Sequence, residues 1–445
     1  MNRQLKVDRR DLSAAYRPVT SLKPFGNNAR RHSLKQLKKL VRSLDEFGWI
    51  NPLLITRDGD VICGHGRLEA AKMRGDSDVP AIVIDDLTEA QRRAYILADN
   101  ELAAQSSWDR DMLATELQGL IELGYDVELS GFDTLQIDTI LNVGEKIPAP
   151  EEELVELPDD EGGTLTRPGD HWVFGDRHHL LCADARIGAS YDQLLQGKRA
   201  ELIVCDPPYN TVANRISGLG RVKHGAFVAG SGELSDGAFV MDFLRPTLRH
   251  IERFSEPGAI AFIFCDWRMD PLLREAAAGV FHEMKNFITW AKTNAGMGTF
   301  YRSQTEFLQA WKVSEGRVIN NFELGQGGRH RSTLWVYPGC NTFRQGRMED
   351  LESHPTAKPT KLVADALLDC SRRNGIVLDP FLGTGTLLAA AEQTGRRGYG
   401  LELDPKYCDV ILRRMTKLSS EPPKLIDGTS LDDVRSRRLE TGVEP

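Results

Sequence analysis

The chain has 445 residues, 41% of them apolar, a formal net charge of −8 at pH 7, and seven scattered cysteines (63, 182, 205, 265, 340, 370 and 408) with no CxxC pair. That length supports two or three compact units, and the cysteine pattern argues against a disulfide framework or a zinc module. The acidic sum excludes an all-over basic coat for nucleic acid, yet charge is segregated: residues 317–347 hold five arginines against one acid, whereas residues 151–162 hold seven acids and no base.

The N-terminal MNRQLKVDRRDLSAAYRPV lacks the apolar core of a signal sequence, and no run approaches the roughly 18 apolar residues of a membrane helix, so a cytoplasmic setting without membrane contact is expected. From Tyr16 to about Asp86, PLLIT and VICG read as paired strands, LKQLKKLVRSLDEFG as an amphipathic helix and PAIVIDD as a closing strand, which predicts a small α/β unit over residues 14–87. Residues 88–143 carry helical patterning, with Thr88 as an N-cap and Gly124 as a C-cap, and are expected to brace that unit. Prolines, an acidic run and a Gly pair mark residues 144–165 as a linker.

In residues 166–420 short apolar runs recur between helical stretches: HLLCAD, ELIVCDPP, AIAFIFCD, FITWAK, FLQAWKV, IVLDPF and GYGLEL. Such runs suit strands covered on both faces, so a seven-stranded, mostly parallel, doubly wound α/β sheet is predicted. Residues 421–445 read as a polar, poorly ordered tail.

The strongest local signal is Asp206-Pro207-Pro208-Tyr209-Asn210, directly after LIVC. Prolines cannot continue a central strand, so the chain leaves the sheet at its carboxyl edge, where open α/β sheets bind ligands. An exocyclic aryl amine is a weak nucleophile because its lone pair is delocalised. Acceptors on its protons, such as the Asp206 carboxylate and the Pro207 carbonyl, help localise that pair. Tyr209 can stack on a base drawn out of a duplex. An Asp-Pro-Pro turn beside a core tyrosine is the alternative.

The second signal is Asp379-Pro380-Phe381-Leu382-Gly383-Thr384-Gly385-Thr386, between the run IVL and a helical stretch. Gly383 and Gly385 let backbone approach a ligand, and free N–H groups at the helix start suit a polar group. No Lys-Ser/Thr follows, so this is no Walker loop, and Leu388 stands where a third dinucleotide-loop glycine belongs. Glu402, about twenty residues on, is spaced to hold both hydroxyls of a ribose, which implies a nucleoside-bearing cofactor.

A DPPY box upstream of a DPFxGTGT box resembles the β-class DNA amino-methyltransferases, over roughly residues 165–416. His354-Pro355-Thr356-Ala357-Lys358-Pro359 resembles that family's HPTQKP box, departing from it at Ala357. The resemblance implies a Rossmann-like domain using S-adenosyl-L-methionine on double-stranded DNA, without a metal. It implies that Asp206, Pro207, Pro208 and Tyr209 hold the target base. Asp379, Phe381, Gly383, Gly385, Thr386 and Glu402 would line the cofactor pocket, Asp184 would contact the cofactor's adenine, and Thr356 and Lys358 would close on its methionine end. Aspartate in the first box favours adenine N6 over cytosine N4, whose enzymes more often carry SPPY. The stretch from Ile288 to Lys312 resembles the family's segment near the target strand, with Arg302 and Glu306 as the residues to test or as a surface ion pair. Target recognition is expected at about 314–350, where Arg329, Arg331, Arg344 and Arg347 would read DNA or remain solvated, and residues 218–236 would close over the flipped base.

The N-terminal unit resembles the ParB/sulfiredoxin-like domain. Asn28-Ala29-Arg30 precedes its first helix, and Gly64-His65-Gly66-Arg67 stands where ParB proteins carry a GERR-type nucleotide-binding box. Gly64, His65, Arg67, Asn28 and Arg30 would form a phosphate site, and a protein-interaction role is the alternative. Fusions of this sort resemble phage or prophage proteins. A homodimer, a partner nuclease, a non-catalytic DNA-binding switch and an RNA methyltransferase all stay open at the level of sequence.

Overall fold

The structure, a computed structural model, describes residues 12–26, 30–141, 143, 164–210, 232–293, 295, 300–322, 329–339 and 358–439. Its contacts divide into two units, Met1–Leu141 and Asn142–Pro445. Among the described residues no helix is long and apolar enough to cross a membrane.

In the first unit β1 (Ala14–Pro18), β2 (Leu53–Ile55), β3 (Val61–Cys63) and β4 (Asp78–Val83) form a sheet in the order β1-β4-β2-β3. Only β2 and β4 run parallel. The helices are α1 (Leu34–Phe47) and α2 (His65–Arg74). Ser33 opens α1 by accepting from the Gln36 N–H, and Gly48, at φ 69°, closes it. Leu53, Val61, Leu68, Ala71, Val79 and Ala81 make the core. Strand β1 escaped the sequence pattern because all five of its residues are exposed, which leaves no alternation to read.

Helices α3 (Glu89–Ala104), α4 (Arg110–Glu122) and α5 (Thr134–Ile140) follow. Thr88 and Gln91 form a capping box at the head of α3. The segment around α5 is fastened to α1 mainly by polar bridges: Lys35 to Asp133 at 3.0 Å, Lys39 to the Gly131 carbonyl at 2.7 Å and Arg42 to Asp126 at 2.8 Å.

Among the described residues the second unit has ten strands: β5 (His171–Phe174), β6 (His178–Cys182), β7 (Ala200–Cys205), β8 (Ser255–Cys265), β9 (Glu283–Lys292), β10 (Thr305–Lys312), β11 (Leu334–Tyr337), β12 (Ile376–Asp379), β13 (Arg397–Glu402) and β14 (Lys424–Leu425). Their order is β11-β9-β10-β8-β7-β12-β13-β6-β5-β14. The five strands β8-β7-β12-β13-β6 are parallel throughout, while β10 runs antiparallel to β8 and β9. Helices α6 (Gly188–Leu195), α7 (Arg245–Arg253), α8 (Met269–Ala277), α9 (Thr360–Cys370), α10 (Thr386–Thr394), α11 (Pro405–Leu418) and α12 (Leu431–Leu439) accompany the sheet. Leu202, Ile203, Val204 and Cys205 of β7 are each at most 2% exposed, as a strand covered on both faces must be.

The seven strands expected from apolar runs are all present and contiguous in this order. The sheet has three more, all at its margins. β14 has two residues and β5 and β11 four each, HWVF and LWVY, the latter with alternate positions exposed inside the arginine-rich stretch, so each is a short run set among polar residues. The expectation of a disordered tail fails for residues 421–439: β14 pairs with β5, Val434 of α12 is buried, and Arg438 bonds Asp170 and the Leu165 carbonyl. Average polarity hid one apolar anchor and one ion pair.

Gly400 of β13 leaves room for Leu382, whose side chain a β-carbon at 400 would strike and whose N–H donates to the Leu401 carbonyl at 2.9 Å. Gly400→Ala should therefore overpack this contact by about 1–3 kcal/mol, lowering Tm by several degrees in a thermal melt. An unchanged Tm would show that Leu382 yields freely.

Candidate active site

The five parallel strands leave the sheet along one edge, and each carries an acid there: Asp266 after β8, Asp206 after β7, Asp379 ending β12, Glu402 ending β13 and Asp184 two residues beyond β6. Carboxyl edges of this kind are where open α/β sheets bind ligands.

At the centre the Tyr209 hydroxyl donates to Asp206 Oδ1 at 2.8 Å, and Lys358 Nζ donates to Asp206 Oδ2 at 2.6 Å. Lys358 stands directly before α9, with its ammonium 5.1 Å from the Phe264 ring centroid and 5.9 Å from that of Tyr209. Its other neighbour is Glu306, at 3.2 Å, which in turn accepts from Lys292. The two carboxylates keep Lys358 charged, raising its pKa above the ordinary range despite burial. Burial pushes the Asp206 carboxyl up, and the Lys358 ammonium is the largest influence opposing that rise. A carboxylate held beside a buried cation can accept a hydrogen bond from an uncharged donor.

The second half of the cleft is formed by the loop from Asp379 to Gly385. Asp379 Oδ1 accepts from the Phe381 N–H at 2.9 Å, which fixes the start of the loop. Glu402 accepts from the Gly383 N–H at 2.8 Å and from the Asp404 N–H at 2.9 Å. Gly383 has φ 52°, and a β-carbon there would point into open space with nothing within 4 Å, so the backbone itself faces a vacant cradle. Gly385, at φ 79°, starts α10, and the Thr386 hydroxyl and Thr384 carbonyl both meet Arg414 of α11. The Phe381 ring stacks on Phe243 at 5.9 Å, and the Arg186 guanidinium lies 5.6 Å from the Phe243 centroid. An acid for sugar hydroxyls, a glycine loop open to close approach and a flat aromatic wall fit an adenosine-bearing cofactor.

The structure thus brings Asp206, Pro207, Pro208, Tyr209, Asp379, Phe381, Gly383, Gly385, Thr386, Glu402 and Asp184 to one edge. Asp184 is already engaged by Arg186 through contacts of 2.6–3.0 Å. The Lys358 ammonium reaches the Asp206–Tyr209 box, where Asp206 and Glu306 present two buried carboxylates to it. Arg302 is exposed, and Glu306 pairs with the two lysines, so the expected ion pair between them does not form.

Arg329 and Arg331 also correct the sequence reading. Both turn inward, Arg329 Nη2 to Asp369 at 2.7 Å and Arg331 Nε to the same carboxylate at 2.7 Å, with Arg331 also donating to the Tyr337 hydroxyl. Asp369 is 3% exposed, and a buried acid must be paired. The spacing of Asp365 and Asp369 inside the apolar helix LVADALLDC was the available signal. Thr356, Arg344, Arg347, the closing segment up to 231 and Asn28 lie outside the described residues.

In the first unit Gly64, at φ 96°, starts α2, and Arg67 donates to the Asn51 carbonyl at 3.0 Å. His65 Nε2 accepts from the Phe25 N–H at 3.3 Å, and burial lowers its pKa, keeping the ring neutral. Arg30 is bonded to Asn100.

Three families match in tandem: the ParB N-terminal domain over residues 10–100, the ParB-methyltransferase HTH domain over 111–167 and DNA methylase over 200–413. The chain carries a DNA methylase domain, with a ParB N-terminal domain ahead of it. It is 46% identical over 82 residues to the ParB-like nuclease domain-containing protein YnaK of Escherichia coli strain K12, covering 18% of this chain and 94% of that protein. It is 32% identical over 146 residues to the type II methyltransferase M.HinfI of Haemophilus influenzae, covering 31% of this chain and 40% of that enzyme. The crystal structure of the M1.HpyAVI–SAM complex aligns over 54% of this chain and 98% of that one, at 20% identity and TM-score 0.39. The methylase acts on DNA, and S-adenosylmethionine is its methyl donor.

Burial pushes Glu402 up to about 7, so its carboxylate form, the one able to accept from ribose hydroxyls, is lost as pH falls through that value. The Kd for S-adenosylmethionine should rise about tenfold from about pH 8 to about pH 6, and Glu402→Gln should flatten that slope in isothermal titration. A wild-type Kd independent of pH would remove Glu402 from the ribose site.

Proposed function

We propose that the methylase modifies the N6 amino group of adenine in double-stranded DNA, with the base turned out of the helix and stacked on Tyr209. The observation that carries this reading is the Asp206 carboxylate beside the Pro207 carbonyl at the mouth of the cleft, held between Tyr209 and Lys358. Asp206 and the Pro207 carbonyl accept the two amino protons, which localises the nitrogen lone pair for in-line attack. When bound, S-adenosylmethionine supplies an electrophilic methyl group whose S–C bond breaks as the new N–C bond forms, the electron pair staying on sulfur. Phe381, Glu402 and the Gly383–Gly385 backbone hold the adenosine part, and Asp184 borders it. An aspartate in the DPPY box supports adenine over cytosine N4.

On the DNA side we assign contacts to the rim of the same edge. Trp267 and the Phe300–Tyr301 pair are exposed there, and the Arg268 guanidinium lies over the Trp267 ring at 4.4 Å. Exposed rings and guanidinium groups of this kind stack on bases and meet phosphates. Arg344 and Arg347 keep the reading role proposed for them, while Arg329 and Arg331 brace α9. In the ParB N-terminal domain, the amides that open α2, together with Arg67, suit the phosphate of a nucleotide.

Tritium transfer from labelled S-adenosylmethionine to unmethylated genomic DNA, followed by digestion to nucleosides, tests the reaction and the base together. Label on N6-methyladenine that drops at least about a hundredfold in Asp206→Ala is the expected result. Label on cytosine would overturn the choice of base, and cofactor binding without any transfer would favour a non-catalytic switch. Trp267→Ala should raise KM for DNA about tenfold or more with cofactor Kd unchanged. An unaltered KM would move the DNA path elsewhere.

A further inference from the structure

Two side chains of the cleft, Lys292 and Glu306, have no task in the reaction as described so far. Lys292 ends β9, and Glu306 lies on the neighbouring β10, opposite Trp290. With Lys358 and Asp206 they form an unbroken row: Lys292 to Glu306, Glu306 to Lys358 at 3.2 Å, and Lys358 to Asp206 at 2.6 Å. The signs alternate and the row sums to zero. None of the four side chains is more than 27% exposed.

Removing an ion from water costs several kcal/mol even after relaxation, and one lysine would suffice to balance one aspartate. The second pair therefore calls for a reason. Methyl transfer leaves positive charge on the amino nitrogen, which must then shed a proton. Lys358 alone, hydrogen-bonded to Asp206, would hold that carboxylate ionised but would also repel the charge growing on the base and weaken Asp206 as an acceptor. Glu306 offsets that repulsion, and Lys292 prevents Glu306 from neutralising Lys358 altogether.

Resting on the methyl-transfer reading, we propose that Glu306 and Lys292 are positioning residues that act together with Lys358 to set how strongly Asp206 attracts the amino proton. In the balanced step the amino lone pair becomes the N–C bond, the proton released from that nitrogen passes to an Asp206 oxygen, and solvent takes it as product leaves. The groups facing Asp206 from the surrounding elements are Tyr209 on its own loop, Lys358 before α9, Glu306 on β10, Asp379 on β12, and Cys205 and Cys265 at the ends of β7 and β8. Glu306 reaches Asp206 both directly, as a like charge, and through Lys358, the cation among these described groups, while Lys292 reaches it by way of Glu306.

The test is the pH profile of single-turnover methyl transfer by the full chain on genomic DNA, with wild type measured first. Glu306→Gln leaves Lys358 uncompensated, so the acid limb should move down by about one pH unit and the plateau should fall about tenfold. Lys292→Met frees the charge of Glu306 and should move the same limb up. Opposite displacements, with cofactor Kd within about twofold of wild type and with Lys292→Arg restoring the wild-type profile, are the expected result. Limbs that stay in place while the rate falls, or that move together, would overturn the proposal and leave the pair structural. If Glu306→Gln does not fold, Lys292→Met and Lys292→Arg decide the question alone. An inactive wild type would instead sink the methyl-transfer reading, so the two failures are told apart at the first measurement.

Discussion

Parallel strands that lie side by side must all end at the same edge, and in this chain each of the five exits carries an acid. The arrangement depends on burial of both faces of the sheet, because only apolar strands such as LIVC and IVL can run through its middle. Polar groups are therefore displaced to the strand ends, where the chain first meets solvent. The position of Asp206 between Asp266 and Asp379 is thus a result of strand order, and the cleft inherits a surplus of negative charge that the nearby cations must balance.

Those cations come from near and far in the chain. Lys358 reaches Asp206 across 152 residues and Arg186 folds back on Asp184 from two residues away. Arg329 and Arg331 answer Asp369 from a segment some forty residues earlier. In each case a buried acid selects its partner by proximity in space. Fixing Lys358 also fixes the start of α9, whose opposite end is tied by Asp369, so the helix is held electrostatically at both ends.

This explains what could be read from the residues alone. The DPPY and FLGTGT boxes were legible because their chemistry is local: a strand, a turn that breaks it and a side chain exposed at the break. The central strands were legible for the same reason, as uninterrupted apolar runs. Partnerships were not legible. Lys358 was assigned to the cofactor from its box, and Arg329 and Arg331 to DNA from their charge, because sequence shows a charged side chain without showing which opposite charge its fold presents. Strands β5, β11 and β14 stayed hidden because they are short runs set among polar residues at the margin of the sheet, and α12 because a single buried valine does not alter the average of its segment.

The acidic edge has one more consequence, which concerns competition among small molecules that share an adenosine. ATP and S-adenosylmethionine carry the same base and ribose, but differ in what hangs from the 5′ carbon: a polyanionic tail in one, a sulfonium with an amino acid in the other. A tail of phosphates would lie along a row that places one carboxyl at the end of each strand, with its main cations already committed to ion pairs. Like charges at close range in a partly desolvated cleft cost far more than in water. Strand ends of this kind would disfavour a phosphate tail relative to a sulfonium without any contact dedicated to telling them apart.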